Sequence, residues 1–266
     1  MREIAIIAAS NDQHVLQNNL LASPLLRCGK VTITVEKGHP SASAAYNAGL
    51  GKISAPMAVF VHQDVYLPGN WERSLLAAID QLDTSGQKWG MLGLVGICSN
   101  SRIVGRSWST GIGHEVGARL SRPEKAESVD EMLFVLRTDC GFRFDENLPG
   151  YHLYATDMAM MVRDAGYEVY VIDAPVIHNS RPVHYLDRQY AQGYRYMQKK
   201  WHGQLPLKTC VIPVTRGGWP LMRNRMVTAK RMICGQVPLG GRSVAKLHPQ
   251  PSMLAAQLGY EPSLEL

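Results

Sequence analysis

Apolar and polar positions fall into short, regular blocks from the start of the chain. EIAIIAA, residues 3–9, is a continuous apolar run closed by Ser10, Asn11 and Asp12, the pattern of a strand buried on both faces. A helical pattern follows to about Leu26. In VTITVEKG, residues 31–38, Val31, Ile33 and Val35 alternate with Thr32, Thr34 and Glu36, which predicts a second strand. Gly38, Pro40 and serines then lead into ASAAYNAGLGKI, a helix of small residues. Residues 57–62 form a third strand. After Pro68-Gly69, Asn70 is placed to cap a helix carrying Trp71, Leu75, Ile79 and Leu82 at helical spacing. WGMLGLVGI, residues 89–97, reads as a fourth buried strand.

Residues 99–127 lose this periodicity and are rich in Gly, Ser and Arg. They predict a long functional loop, or an excursion holding a short hairpin. SVDEMLFVLR, 128–137, returns to strand, and CGFRFDENLPG, 140–150, is a turn-rich connection. YHLYATDMAMMVRDAG leads into a helix broken at Gly166, YEVYVID is another strand, and VIHNS follows. HYLDRQYAQGYRYMQKKW predicts a basic, aromatic helix. Beyond Lys208 the pattern weakens. The expected division is therefore a main domain over 1–205 and a basic, partly irregular C-terminal extension over 206–266.

Strands alternating with helices predict an α/β fold, a central, mostly parallel sheet with flanking helices. Ligands bind such sheets beyond the carboxyl ends of the strands. Ser10-Asn11-Asp12, Glu36-Lys37 and His62-Gln63-Asp64 all fall there, so three successive strands end in polar clusters on one rim. That points to a nucleotide-type pocket.

Composition adds limits. Of 266 residues, 45% are hydrophobic and 19% charged, values of a soluble globular protein. No apolar run reaches the roughly 20 residues of a membrane span, and MREIAIIAAS is too soon followed by polar residues to read as a signal peptide. The cysteines at 28, 98, 140, 210 and 234 are odd in number and lack a C-x-x-C pair. They predict a reducing cytoplasm, no disulfide framework and no structural zinc. The net charge of +6 is concentrated late: between Arg181 and Lys246 the only acid is Asp187. Such a region favours anionic partners, whether phosphates, a membrane surface or nucleic acid.

Several side chains are candidates for chemistry. Asp64, with His62 and His178, offers ligands suited to Mn²⁺ or a similar divalent ion, although a polar strand end explains Asp64 alone as well. Asp157 lies in the first turn of a helix, where the dipole favours a carboxylate, or where a general base could face the pocket. Asp145-Glu146 fits turn chemistry, and Asp130-Glu131 carries little signal. In the 99–122 loop, Arg102, Arg106, Trp108 and His114 are candidate acceptor contacts, Trp108 offering a flat face to a sugar ring.

The order of these features resembles a family 2, glycosyltransferase-like glycosyltransferase of the GT-A fold. IAIIAASND matches the opening strand and nucleotide-contacting loop, with Ser10 and Asn11. Glu36 matches the acid that contacts the base, and Ala45-Tyr46-Asn47-Ala48-Gly49 the A-x-N-x-G helix. His62-Gln63-Asp64 stands at the D-x-D position, with His62 replacing the first Asp. Phe144-Asp145-Glu146 matches the F-D-E turn, Asp157 the helical base, and His178 the histidine completing the metal site.

The resemblance covers about residues 3–200. It implies a sugar moved from a nucleotide-diphosphate donor to an acceptor hydroxyl with inversion, assisted by Mn²⁺ or Mg²⁺ on Asp64 and His178, with Asp157 as base. The implied acceptor is a glycan, a lipid-linked molecule or a protein in bacterial glycan or polysaccharide biosynthesis. The implied location is cytoplasmic, with peripheral contact to the inner face of the membrane through the basic C-terminal region and no nucleic acid bound. Two other readings stay open. A His/Asp metal-dependent phosphohydrolase would need ligands beyond His62, Asp64 and His178. A basic nucleic-acid-binding protein lacks a recognisable reading motif.

Overall fold

The computed structural model describes residues 3–182, 185–236 and 250–261. In chain order its elements are β1 (Ile4–Ala9), α1 (Gln13–Asn18), α2 (Pro24–Arg27), β2 (Thr32–Glu36), α3 (Ala42–Leu50), β3 (Met57–His62), β4 (Val65–Tyr66), α4 (Trp71–Thr84), β5 (Trp89–Gly93), β6 (Val95–Ile97), β7 (Ile103–Ser109), β8 (His114–Ala118), β9 (Glu124–Lys125), β10 (Ser128–Val129), β11 (Leu133–Arg137), α5 (Tyr154–Asp164), β12 (Glu168–Val171), β13 (Val176–His178), α6 (Arg188–Lys200), α7 (Trp219–Ile233) and α8 (Pro251–Gln257).

The expected single helix after β1 is broken. Asp12 caps α1 by accepting from the backbone N–H groups of His14 and Val15. Pro24 then starts α2, because a residue without an N–H fits a helix's first turn and not its interior. The α3 helix lies close on β1: a Cβ on Gly49 would sit 2.3 Å from Ile7 Cγ2, so only glycine permits this approach.

Seven strands form the main sheet in the order β2-β1-β3-β11-β5-β12-β9. β1, β2, β3, β5 and β12 run one way, as expected, but β11 is inserted antiparallel between β3 and β5. The cause is the excursion that separates β5 from β11. It leaves and rejoins the sheet at the same rim, so β11 must run back.

That excursion supplies β6, β7, β8 and β10 of a second sheet, ordered β10-β6-β7-β13-β4 with β8 paired to β7, which β4 and β13 complete from elsewhere in the chain. WGMLGLVGI, read as one strand, is therefore two: β5 belongs to the main sheet and β6 to the second, with the switch at Leu94. Gly105, at φ +89°, lets β7 cross this corner, since a Cβ there would lie 1.9 Å from the Leu94 carbonyl oxygen. SVDEMLFVLR is likewise split, into β10 and β11. The hairpin expected in 99–127 is present as β7–β8.

The core lies on both faces of the main sheet. On one face Tyr46, Phe60, Phe134, Phe144 and Tyr154 form an aromatic cluster with ring centroids 5.0–6.5 Å apart. Tyr154 belongs to the first turn of α5, so this cluster seats that helix against β3.

The chain beyond residue 205 is more regular than its sequence pattern predicts. Leu207, Val214 and Leu221 join the main core. α7 is a 15-residue helix. α8 packs on the second sheet, where Leu254, Ala255 and Tyr260 meet Tyr66 and Ile177. Pro, Gly and Arg obscured these helices, whose partners are distant in sequence. The remainder of the tail, 237–249 and 262–266, lies outside the described residues.

Candidate active site

The rim predicted from three strand ends is assembled. β1 pairs in parallel with β2 and β3, with Ala9 opposite both Glu36 and His62. Gln63 binds this rim together. Its Oε1 accepts from Ser10 Oγ at 2.8 Å and from the backbone N–H groups of Asn11 and Asp12 at 3.1 Å, and its Nε2 donates to Asn11 Oδ1 at 2.7 Å. Ser10, Asn11 and Gln63 thus shape the loop jointly. Glu36 is buried at the end of β2, bound by Lys52 Nζ at 2.6 Å and by His39 Nε2 at 3.1 Å. Burial acts to raise its pKa, but Lys52 and His39 outweigh it and hold the carboxyl below its usual value.

Asp64 and His178 meet because β13 pairs antiparallel with β4, placing His178 opposite Val65. Ligand atoms of His62, Asp64 and His178 lie within 4.8 Å of one another. His178 Nε2 is 3.4 Å from Asp64 Oδ1, and the two imidazole rings are 5.6 Å apart. Despite burial, His178 and His62 push the Asp64 carboxyl far below its usual range. Burial is opposed at His178 by Asp64, and its pKa is raised; at His62 burial prevails and its pKa is lowered. Two imidazoles from strand ends and one carboxylate from the β3–β4 turn suit a divalent transition ion, and suit Mn²⁺ better than Mg²⁺.

His62 is held from behind by a residue the sequence did not single out. Tyr154 Oη donates to the Glu131 carbonyl oxygen at 3.1 Å and lies 2.8 Å from His62 Nε2. A tyrosine has one proton to give. With that proton on the carbonyl, His62 Nε2–H must donate to Tyr154 Oη, and the Nδ1 lone pair is left free for a metal.

The same corner holds Glu131, Asp130 and His152. The Glu131 carboxyl faces the backbone N–H groups of Leu153 and Tyr154 at the start of α5, which act to lower its pKa. Leu153 is left-handed, at φ +67°, a costly conformation for leucine that recurs at functional sites. Burial, then the neighbouring Asp130 charge, raises the Glu131 pKa well above the usual carboxylate value. His152 Nδ1 is 4.0 Å from Glu131 Oε2, and its Nε2 is 3.8 Å from Asp187 Oδ1. No periodicity or known spacing marks Glu131; only its place against α5 does.

Asp157 is not brought to the His62–Asp64–His178 group. It is 1% exposed. Its Oδ1 accepts from Trp201 Nε1 at 2.7 Å and its Oδ2 from Lys200 Nζ at 2.8 Å. Burial raises its pKa, with Lys200 opposing. Both oxygens are occupied in tying α5 to the end of α6. Asp145 belongs to the same tie: its Oδ2 accepts from Tyr196 Oη and Lys200 Nζ, and these bonds outweigh burial to lower its pKa to about 2. Asp157→Asn puts an amide N–H₂ against the Lys200 ammonium, or leaves the Trp201 donor unpaired. It should cost about 1–3 kcal/mol and lower Tm by several degrees while leaving catalysis in place. A thermal melt beside a turnover assay checks this. Unchanged Tm with turnover lost would make Asp157 catalytic.

Other expected site residues are also spent on structure. Asn47 Nδ2 donates to the Phe144 carbonyl and to Glu146 Oε1, and Asn47 Oδ1 accepts from Phe144 N–H, each at 2.9 Å. Asn47 and Glu146 therefore pin the 144–146 turn to α3. Arg106 makes a two-point bond to Asp173 at 2.8 and 2.9 Å and lies 5.5 Å from the centre of the Tyr260 ring. Trp108 pairs with Ile177 in register and packs with it under α8, on the face away from His178. Arg102 pairs with Glu124, and His114 is exposed on β8.

A family model described as glycosyltransferase-like matches residues 5–201. A curated protein of Fuscovulum blasticum, described as "ATP synthase subunits region ORF 6", is 28% identical over 156 residues, which cover 52% of this chain and 59% of that one. The chain thus spans about three-fifths of that relative's length. Among solved structures, GalNAc-T7 with UDP, GalNAc and Mn²⁺ superposes with a TM-score of 0.48 at 11% identity, over 86% of this chain and 55% of that one. The mannosyltransferase PcManGT of Pyrobaculum calidifontis, in complex with GDP-Man and Mn²⁺, superposes with a TM-score of 0.48 at 10% identity, over 97% and 79%. With the family model covering well over half of its length, and with a strand-end rim and a His-Asp-His group in place, the chain belongs to the glycosyltransferase-like family.

Proposed function

We propose that the protein transfers a sugar from a nucleotide-diphosphate donor to an acceptor hydroxyl by a single displacement that inverts the anomeric carbon. The observation carrying this reading is the convergence of His62, Asp64 and His178 beside the Ser10–Glu36 rim. A divalent cation held by these three would neutralise charge developing on the leaving diphosphate. The Ser10–Asp12 loop and Glu36 bound the nucleoside end of the rim. The Gln63 amide keeps the loop and the cation ligands in one register, so donor and cation sites form together.

Glu131 is the group we assign as base, in place of Asp157. Its raised pKa matches it better to a proton than an ordinary carboxylate. It accepts the proton of the acceptor hydroxyl while that oxygen attacks the anomeric carbon. His152, whose pKa burial lowers against the opposing charge of Asp187, stands beside it to bind the acceptor.

A panel of UDP- and GDP-sugars, assayed for nucleotide release with Mn²⁺ and then with Mg²⁺, tests the reading. At least one donor should turn over, faster with Mn²⁺, and the product's anomeric configuration should be inverted by NMR. Release of inorganic phosphate from simple phosphate esters, with no turnover of any nucleotide sugar, would replace it with the phosphohydrolase reading.

A further inference from the structure

Helix α7 turns its apolar side outward. Trp219, Met222, Met226 and Ile233 are 56%, 50%, 59% and 86% exposed. At 100° per residue these four positions fall within an arc of about 60°. Leu221 and Thr228, on the opposite side, are buried against the protein. Arg223 and Lys230 border the outward stripe and are exposed, as are Arg225 and Arg231. No Asp or Glu occurs between Asp187 and Glu261, so no acid of the helix or its neighbours in sequence offsets this charge.

An exposed stripe of Trp, Met and Ile normally faces a partner. With bases along one border, the stripe has the make-up of a helix lying in a lipid–water interface. Charge complementarity selects an anionic surface. The helix also lies next to the acceptor side of the site. Its Asn224, Arg225, Thr228 and Met232 line a groove with Tyr185 and Asp187, and Asp187 is the residue 3.8 Å from His152.

We propose that α7 docks the protein on an anionic lipid bilayer, with Trp219, Met222, Met226 and Ile233 in the interface and Arg223 and Lys230 at the lipid phosphates. The docking does not depend on the reaction proposed above, and its test does not use turnover as a readout of binding.

The full chain is floated with vesicles of phosphatidylcholine mixed with phosphatidylglycerol, and with phosphatidylcholine alone. It should partition to the anionic vesicles and leave them as salt rises. Met222→Glu/Met226→Glu should weaken partitioning by about a hundredfold or more, from two lost apolar burials. Arg223→Gln/Lys230→Gln should weaken it by about thirtyfold, from two lost cations. Soluble donor turnover by both variants should equal that of the wild type, confirming that they fold. No flotation of the wild type with anionic vesicles overturns the proposal. So does a Met222→Glu/Met226→Glu variant that floats like the wild type, since charge alone then suffices. A wild-type dimer in sedimentation that this variant converts to monomer, with no flotation of either, makes the stripe a contact between two copies and also overturns it.

Discussion

Asp64→Ala should remove Mn²⁺-dependent turnover, with a loss of about 10²–10³ or more from removing a stabiliser of developing charge. Asp64 is the one anionic member of the His62–Asp64–His178 group, and the two imidazoles hold it ionised against burial. Without it the remaining ligands are neutral, and the protein offers the cation no anionic ligand from this group. Calorimetry should show Mn²⁺ affinity falling with activity. The Tm should move much less than turnover does, because the Asp64 side chain is 24% exposed and a small residue fits there without a sealed cavity. A Mn²⁺ isotherm unchanged from wild type would take Asp64 out of the metal site. The same titration should rank Mn²⁺ above Mg²⁺, because imidazole nitrogen is a poorer ligand for the harder ion.

Glu131→Gln should lower turnover by about 10²–10⁴, the usual worth of a positioned base, with donor and Mn²⁺ affinity kept. Glutamine has nearly the same shape and keeps an acceptor oxygen toward the N–H groups at the start of α5. Only the capacity to take a proton is lost. The sign of the pH dependence follows. A base acts ionised, so wild-type turnover at saturating Mn²⁺ should rise with pH through the Glu131 pKa. Burial and Asp130 place that rise above the ordinary carboxylate value of about 4.3. The rising limb should be absent from the variant's residual rate. A variant as fast as wild type would end the assignment.

Glu131 also shows where the sequence could not be read far enough. In SVDEMLFVLR it is one acid among two before a strand, and nothing in its neighbours marks it. It gains meaning from residues about 20 positions away that meet it at the start of α5. Asp157 is the converse. Its position in a helix's first turn, inside a motif of the resembling family, made it the expected base. Lys200, at the end of α6, and Trp201, just beyond it, occupy both its oxygens instead. Asn47, Arg106 and Trp108 follow Asp157: each looked available in sequence, and each is taken by a distant partner.

The strand pattern and the rim were legible from local order alone, and the resemblance added His178 to the candidate metal group of His62 and Asp64. Periodicity of two marks strands, and a parallel sheet puts the ends of β1, β2 and β3 on one side whatever lies between them. Ser10, Glu36 and Asp64 therefore had to come together once the strands were recognised. The second sheet, the reversed β11, the partners of Asp157 and the outward face of α7 had no such guarantee. Each depends on which distant segment fills a given contact, and side-chain pairing between segments tens of residues apart leaves no period in the chain. Local order thus determined the fold class and the strand-end rim, while tertiary packing decided which acids are tied up by distant partners, as Lys200 and Trp201 tie Asp157.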